Sequence, residues 1–279
     1  MRLEEQSTLV RDAVSAEYAD LVVFVTELGG TTALMLLLAV LFWWSSRRRS
    51  ALVISYAVAG LALMLSLKTL FALPRPPADA MLVALEDERT GYGFPSGHAF
   101  AATVVYGGLV SVYDRTRDSQ ALFASGTLVV LVSLSRVALG VHYLGDVIVG
   151  AALGVAFVVV MNRLTDGDPT TGFAIALVLS IPAVVIVGGT TDPMLGLGGS
   201  IGGLLGSRRL PALPALRSRL EGLVLLTVGG GFVAVVQIAE TVVETVEPLL
   251  VVLYAILLVG IFLAPAAVGR LEVDALESW

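Results

Sequence analysis

The chain has no cysteine, a single lysine (Lys68) and two histidines (His98 and His142), and only 14% of its 279 residues are charged. Without cysteine there can be no disulfide, no thiolate nucleophile and no cysteine-rich metal site. The redox state of its compartment is therefore unreadable. The net charge is −6, and the basic residues are scattered over loops instead of forming a stripe, which argues against a nucleic-acid partner. Residues 1–20 (MRLEEQSTLVRDAVSAEYAD) lack the apolar core of a signal peptide and carry acids in its place, so no cleavage is expected there. They are predicted to form a surface helix ahead of the first membrane span.

Apolar residues make up 57% of the chain, and the mean hydropathy is +0.90. A membrane span needs about 20 apolar residues. Counted on that basis, about nine spans are predicted, at 21–44, 51–73, 98–113, 121–139, 143–162, 171–189, 194–206, 222–239 and 248–267. Backbone polar groups cannot go unpaired in lipid, and these runs are too long and too uniformly apolar for barrel strands. The fold class is therefore all-α, a polytopic transmembrane helix bundle with no soluble domain. Its expected organisation is a surface segment at 1–20, a membrane core at 21–189 and additional transmembrane helices of unknown role at 190–279.

Arginines fall on alternate loops. Arg47, Arg48 and Arg49 follow the first predicted span, Arg115 and Arg117 the third, Arg163 the fifth, and Arg208, Arg209, Arg217 and Arg219 the seventh. Positive loops stay in the cytoplasm. The opposite loops hold Asp79, Glu86, Asp87, Glu88, Asp192, Glu240, Glu244 and Glu247, with Arg89 as the main basic exception, so the chain is expected to start outside and end inside.

Three polar segments stand out against this background, and all three open on the outer face. In the first, Lys68 and Arg75 are seven residues apart, two helical turns, just before Pro74 and Pro76 break the second span. They can converge on phosphate oxygens, Arg75 as a fork and Lys68 as a point charge, or they can snorkel to headgroups. In the second, Pro95-Ser96-Gly97-His98, Ser96 is placed to cap the third span. Free N–H groups there, with the hydroxyl and the close approach that Gly97 permits, make an anion site beside His98; a plain capped helix start is the other reading. In the third, Ser135-Arg136 ends the fourth span, and His142 and Asp146 share a face at the start of the fifth. The carboxylate can fix the tautomer of His142 and leave its other nitrogen free as a nucleophile, or the two can form a structural pair.

Taken together, K-x6-RP, PSGH and SR-x5-H-x3-D resemble the type-2 phosphatidic acid phosphatase family of integral membrane lipid phosphatases, which shares its site with vanadium haloperoxidases. The resemblance covers about residues 20 to 165. It departs in layout, since the common six-helix form has a further membrane helix where this chain has its polar first segment. The resemblance implies that His142 is the nucleophile that becomes a phosphohistidine, with Asp146 as its orienting partner. It implies that His98 protonates the leaving group, and that Lys68, Arg75, Ser96, Gly97 and Arg136 bind the phosphoryl oxygens. It implies no metal and no other cofactor. Two histidines, no cysteine and unclustered carboxylates agree with that.

The expected activity is hydrolysis of a lipid phosphate, phosphatidate or a polyprenyl pyrophosphate, at the outer leaflet of the cell membrane. The alternatives are a lipid phosphotransferase, a haloperoxidase holding vanadate, and a transporter or scaffold retaining the site. The expected partners are the lipid substrate and membrane lipids, and the oligomeric state is unreadable. Because His142 must be neutral to attack and His98 protonated to donate, a bell-shaped pH profile is expected. Outside the motifs, Glu27 is expected to be hydrated or to pair with a motif cation, and residues 195–206, rich in glycine, to make a tight helix contact. Asp166 and Asp168 are expected in a solvated loop, and the turn from Ala78 to Gly93 at the rim of the site. The acidic balance would suit a high-salt habitat.

Overall fold

A computed structural model describes residues 2–83, 91–188, 190–243 and 245–270. The expected rim residues Glu86, Asp87, Glu88 and Arg89, and Glu244, lie outside the described residues. The described residues form helices joined by turns, with no strand among them. In order these are α1 (Glu4–Asp12), α2 (Ala19–Glu27), α3 (Thr31–Trp44), α4 (Arg47–Phe71), α5 (Gly97–Ala102), α6 (Gly108–Val112), α7 (Ser119–Ala138), α8 (Leu144–Thr165), α9 (Pro169–Val187), α10 (Thr191–Ser207), α11 (Arg219–Val243) and α12 (Glu247–Val268).

Helix occupies every predicted span, though not every one of these helices is long enough to cross a membrane by itself. Among the described residues, six are long and apolar enough: α4, α7, α8, α9, α11 and α12. A seventh crossing is possible if α2 with its preceding 3₁₀ turn and α3 count as one span, bent by 48°. The bend falls at Leu28-Gly29-Gly30, where the predicted span 21–44 is interrupted. Gly29 lies so close to the Val132 side chain that no side chain fits there. The stretch from Gly97 to Val112 is shorter and contains a π-helical turn at Thr103–Gly107, while α10 has 17 residues.

Contacts divide the chain into two compact units. The first comprises residues 1–35 and 63–163, the second residues 36–62 and 164–279. In the first, α1, α2 and α5 all pack on α7. Helix α8 approaches α5 and the π-helical turn after it closely because of two glycines four residues apart. A side chain at Gly150 would stand 2.6 Å from the Ser96 carbonyl, and one at Gly154 would stand 2.6 Å from the Thr103 side chain.

In the second unit the glycine-rich face of α10 lies against α12, as the sequence leads one to expect. Gly198 abuts the backbone of Val251, Gly202 that of Ala255, and Gly206 the ring of Phe262. That ring also stacks on Phe42 at 4.6 Å, and Trp43 Nε1 donates to the Ile261 carbonyl at 2.9 Å. Asp168 is not simply a solvated loop residue. It caps α9, accepting from Thr170 N at 3.2 Å and Thr171 N at 2.9 Å.

Candidate active site

Every residue singled out in the three motifs belongs to the first unit. Lys68 sits in the last turn of α4. Arg75 does not share its helical face, contrary to the spacing argument, because α4 ends at Phe71 and Ala72 turns with φ +49° ahead of Pro74 and Pro76. From this non-helical segment Arg75 Nη1 reaches 3.4 Å from His142 Nε2 and donates to the Val141 carbonyl at 3.4 Å.

Ser96 occupies the N-cap position of α5, yet its hydroxyl makes no capping bond and is buried without a hydrogen-bond partner. Its backbone N–H donates to the Asp146 carbonyl at 3.1 Å, which fixes the Pro95–His98 turn to α8. Gly97 faces the lysine: Lys68 Nζ lies 3.5 Å from the position a β-carbon would take, an ordinary contact distance. His98, in the first turn of α5, is half-buried, and its carbonyl lies against Gly29.

Arg136, near the end of α7, is 2% exposed, and its Nη1 donates to Thr26 Oγ1 at 3.2 Å. The chain then turns sharply at Gly140, with φ +72°, where a side chain would strike the Ala80 carbonyl. His142 follows in that turn, ahead of α8, so it meets Asp146 across the helix start and not along one helical face. Its Nδ1 is 3.6 Å from Asp146 Oδ2, and the ring is 2% exposed.

Burial is the first cause that pushes His142 down, from 6.5 to about 3. Asp146 acts in the opposite direction, and the charges of Arg136, Lys68 and Arg75 lower it further. The ring is neutral, with its Nδ1 edge toward a carboxylate and its Nε2 edge toward a guanidinium.

Asp146 is fully buried and has a partner that the motifs do not contain. Arg2 grips it with two bonds, Nε to Oδ1 at 2.8 Å and Nη2 to Oδ2 at 2.7 Å. The Tyr143 N–H also donates to Oδ2 at 2.9 Å. The first segment is thus more than a surface helix: α1 packs on α7 while Arg2 reaches into the site. Charge balance is the only signal in the sequence that could have found Arg2. A buried carboxylate beside a neutral imidazole still lacks a counter-charge.

Thr26, the acceptor for Arg136, also went unread. Its neighbour Glu27 is exposed at the end of α2. Between α1, α2 and α7 runs an apolar groove of about 520 Å³, lined by Leu9, Val10, Val25, Leu131 and Leu134 and reaching Ser135, the neighbour of Arg136. Among the described residues, no three His, Cys, Asp or Glu side chains are grouped to hold a metal ion.

Residues 48–168 match the family model of the PAP2 superfamily. No curated protein and no solved structure matches the chain significantly.

Proposed function

We propose, from the premise that residues 48–168 belong to the PAP2 superfamily, that this protein is a membrane-embedded lipid phosphatase working through a phosphohistidine at His142. The observation that carries the reading is the setting of the His142 ring. It is buried and neutral, with Asp146 3.6 Å from Nδ1 and Arg75 3.4 Å from Nε2. A proton on Nδ1 faces the carboxylate. The lone pair on Nε2 then points to the side where a guanidinium can hold phosphoryl oxygens.

In this reading Nε2 attacks phosphorus, and His98 gives a proton to the departing oxygen. Asp146 stabilises the positive ring that carries the phosphoryl group. Lys68, Arg75, Arg136, the Ser96 hydroxyl and the N–H of Gly97 stabilise the charge that spreads over the equatorial oxygens. Water, with His98 as base, then releases phosphate from His142. No step calls on a metal ion.

The lipid character of the substrate is supported by the apolar lining of the groove that includes Ser135, which suits a hydrocarbon tail. Three helices support a site on the extracytoplasmic side of the cell membrane. Lys68 lies at the opposite end of α4 from Arg47, Arg48 and Arg49. Arg136 lies at the opposite end of α7 from Arg115 and Arg117, which precede that helix, and Asp146 at the opposite end of α8 from Arg163.

The test is phosphate release by the purified protein in detergent, from a panel that includes phosphatidate and a polyprenyl pyrophosphate. Turnover of at least one lipid that persists in EDTA and vanishes in His142→Ala is expected. Full activity in folded His142→Ala, or none on any lipid phosphate, would overturn the proposal.

A further inference from the structure

The geometry points to Arg2 as a positioning residue of the reaction: the segment before α1 is a working part of the active site, and its guanidinium fixes the carboxylate that orients His142. This rests on the reading of His142 as nucleophile.

Asp146 is completely buried, and a lone carboxylate in such a place is strongly disfavoured. A neutral His142 cannot balance it. Arg2 supplies the charge, and its planar fork matches the two carboxylate oxygens as a lysine could not. The third nitrogen, Nη1, donates to the Pro74 carbonyl at 2.6 Å, one residue before Arg75. One side chain therefore ties the carboxylate of α8 to the segment that presents Arg75 to His142. The guanidinium also lies over the Tyr143 ring, 4.6 Å from its centre.

Two glycines pack directly on Arg2, one on its side chain and one on its backbone. A β-carbon at Gly93 would stand 2.9 Å from Arg2 Nη2, and one at Gly145 would stand 2.9 Å from the Arg2 Cα. The backbone is held as well. Gly145 N–H donates to the Arg2 carbonyl at 3.0 Å, and Leu144 N–H donates to Ser7 Oγ at 2.8 Å. These belong to the first N–H groups of α8, which have no partner within their own helix. The same short segment thus caps the helix that carries Asp146 and grips its carboxylate.

The carboxylate already accepts three hydrogen bonds, and His142 Nδ1 lies just beyond bonding distance at 3.6 Å. Held there, Asp146 cannot rotate away. A shift of a few tenths of an ångström closes the contact when positive charge develops on the ring, and such tightening on the way to the transition state is common. Arg2 therefore acts through Asp146, with each of its three nitrogens already donating to the protein. Its removal should lower kcat and leave KM alone.

The test uses the full chain in detergent, with Arg2→Ala, Arg2→Lys, Ser7→Ala and His142→Ala assayed on a lipid phosphate that the wild type hydrolyses. In Arg2→Ala, kcat should fall on the order of 10–100-fold, as when a partner that orients a reactive group is lost, with KM within about twofold. Millimolar guanidinium should restore part of that loss in Arg2→Ala, and should do nothing for the wild type or for Ser7→Ala, which loses only a cap.

Arg2→Lys should also lose kcat with KM kept, because an ammonium cannot serve both oxygens. It carries the test if Arg2→Ala does not survive purification. Four results would each overturn the proposal: kcat in Arg2→Ala equal to wild type, kcat above it, a loss confined to KM, or a loss that guanidinium leaves untouched. Turnover surviving in His142→Ala would instead overturn the nucleophile reading beneath it.

Discussion

With only two histidines in the chain, the protonation state of the proposed nucleophile can be read directly. His142 is pushed from 6.5 to about 3, chiefly by burial. At about 1.4 kcal/mol per factor of ten, that amounts to about 5 kcal/mol against the charged ring. A ring with an ordinary value would be roughly 97% protonated at pH 5, whereas this one should be roughly 99% neutral. The sign for stability follows. Because the folded value lies below the unfolded one, the native state is at full strength above pH 6.5 and loses stability as pH falls from there toward 3.

Protein labelled with ¹⁵N in its histidine rings should give two ring spin systems, and His142→Ala identifies which belongs to His142. The His142 nitrogens should hold the shifts of a neutral ring protonated at Nδ1 from pH 8 down to pH 5. A titration centred near pH 6.5 would refute the buried, neutral nucleophile.

Three further outcomes test the frame around that ring. Gly140→Ala forces a side chain onto a backbone with φ +72° and into the Ala80 carbonyl. It should cost at least about 1–3 kcal/mol, read as a lowered thermal midpoint in detergent; an unchanged midpoint would contradict the tight turn. Thr26→Val removes the oxygen that accepts from Arg136 at 3.2 Å and leaves that buried nitrogen short of a bond, a penalty of about 1–3 kcal/mol. If it falls on the transition state, kcat/KM should drop roughly 5- to 160-fold, and wild-type kinetics would show that Thr26 does not hold Arg136. Raising the pH should remove activity on the alkaline side as His98 loses the proton it donates, and His98→Ala should abolish that limb together with most of kcat. A His98→Ala enzyme with the wild-type rate and profile would exclude His98 as the acid.

Much of the architecture was legible because apolar runs of helix length can do little else in lipid, and helix stands at each predicted span. The bend at Gly29 was not legible, since two glycines in an apolar run read equally as ordinary close packing. The Val132 side chain that lies against Gly29 comes from α7, a contact no local pattern reports. In the site, the motif spacing brought His142, Asp146, Arg75 and Arg136 to one place. It misjudged how they get there, with Arg75 beyond the end of α4 and His142 ahead of α8. Arg2 lies 144 residues from Asp146, and no local spacing can report such a pair. Ser96 was read as a helix cap from its residue type, whereas the buried hydroxyl makes no such bond and stays available to the site.

The central claim is a covalent phosphoryl group on His142, and the most direct measurement is to trap it. Purified protein mixed with a ³²P-labelled lipid phosphate and quenched in alkali within a single turnover should carry label that is stable to base, labile to acid and located by peptide mass spectrometry on His142. Label of that kind, absent from His142→Ala, is the predicted result. Phosphate release at the full rate with no label on His142 in the first turnover would contradict the account.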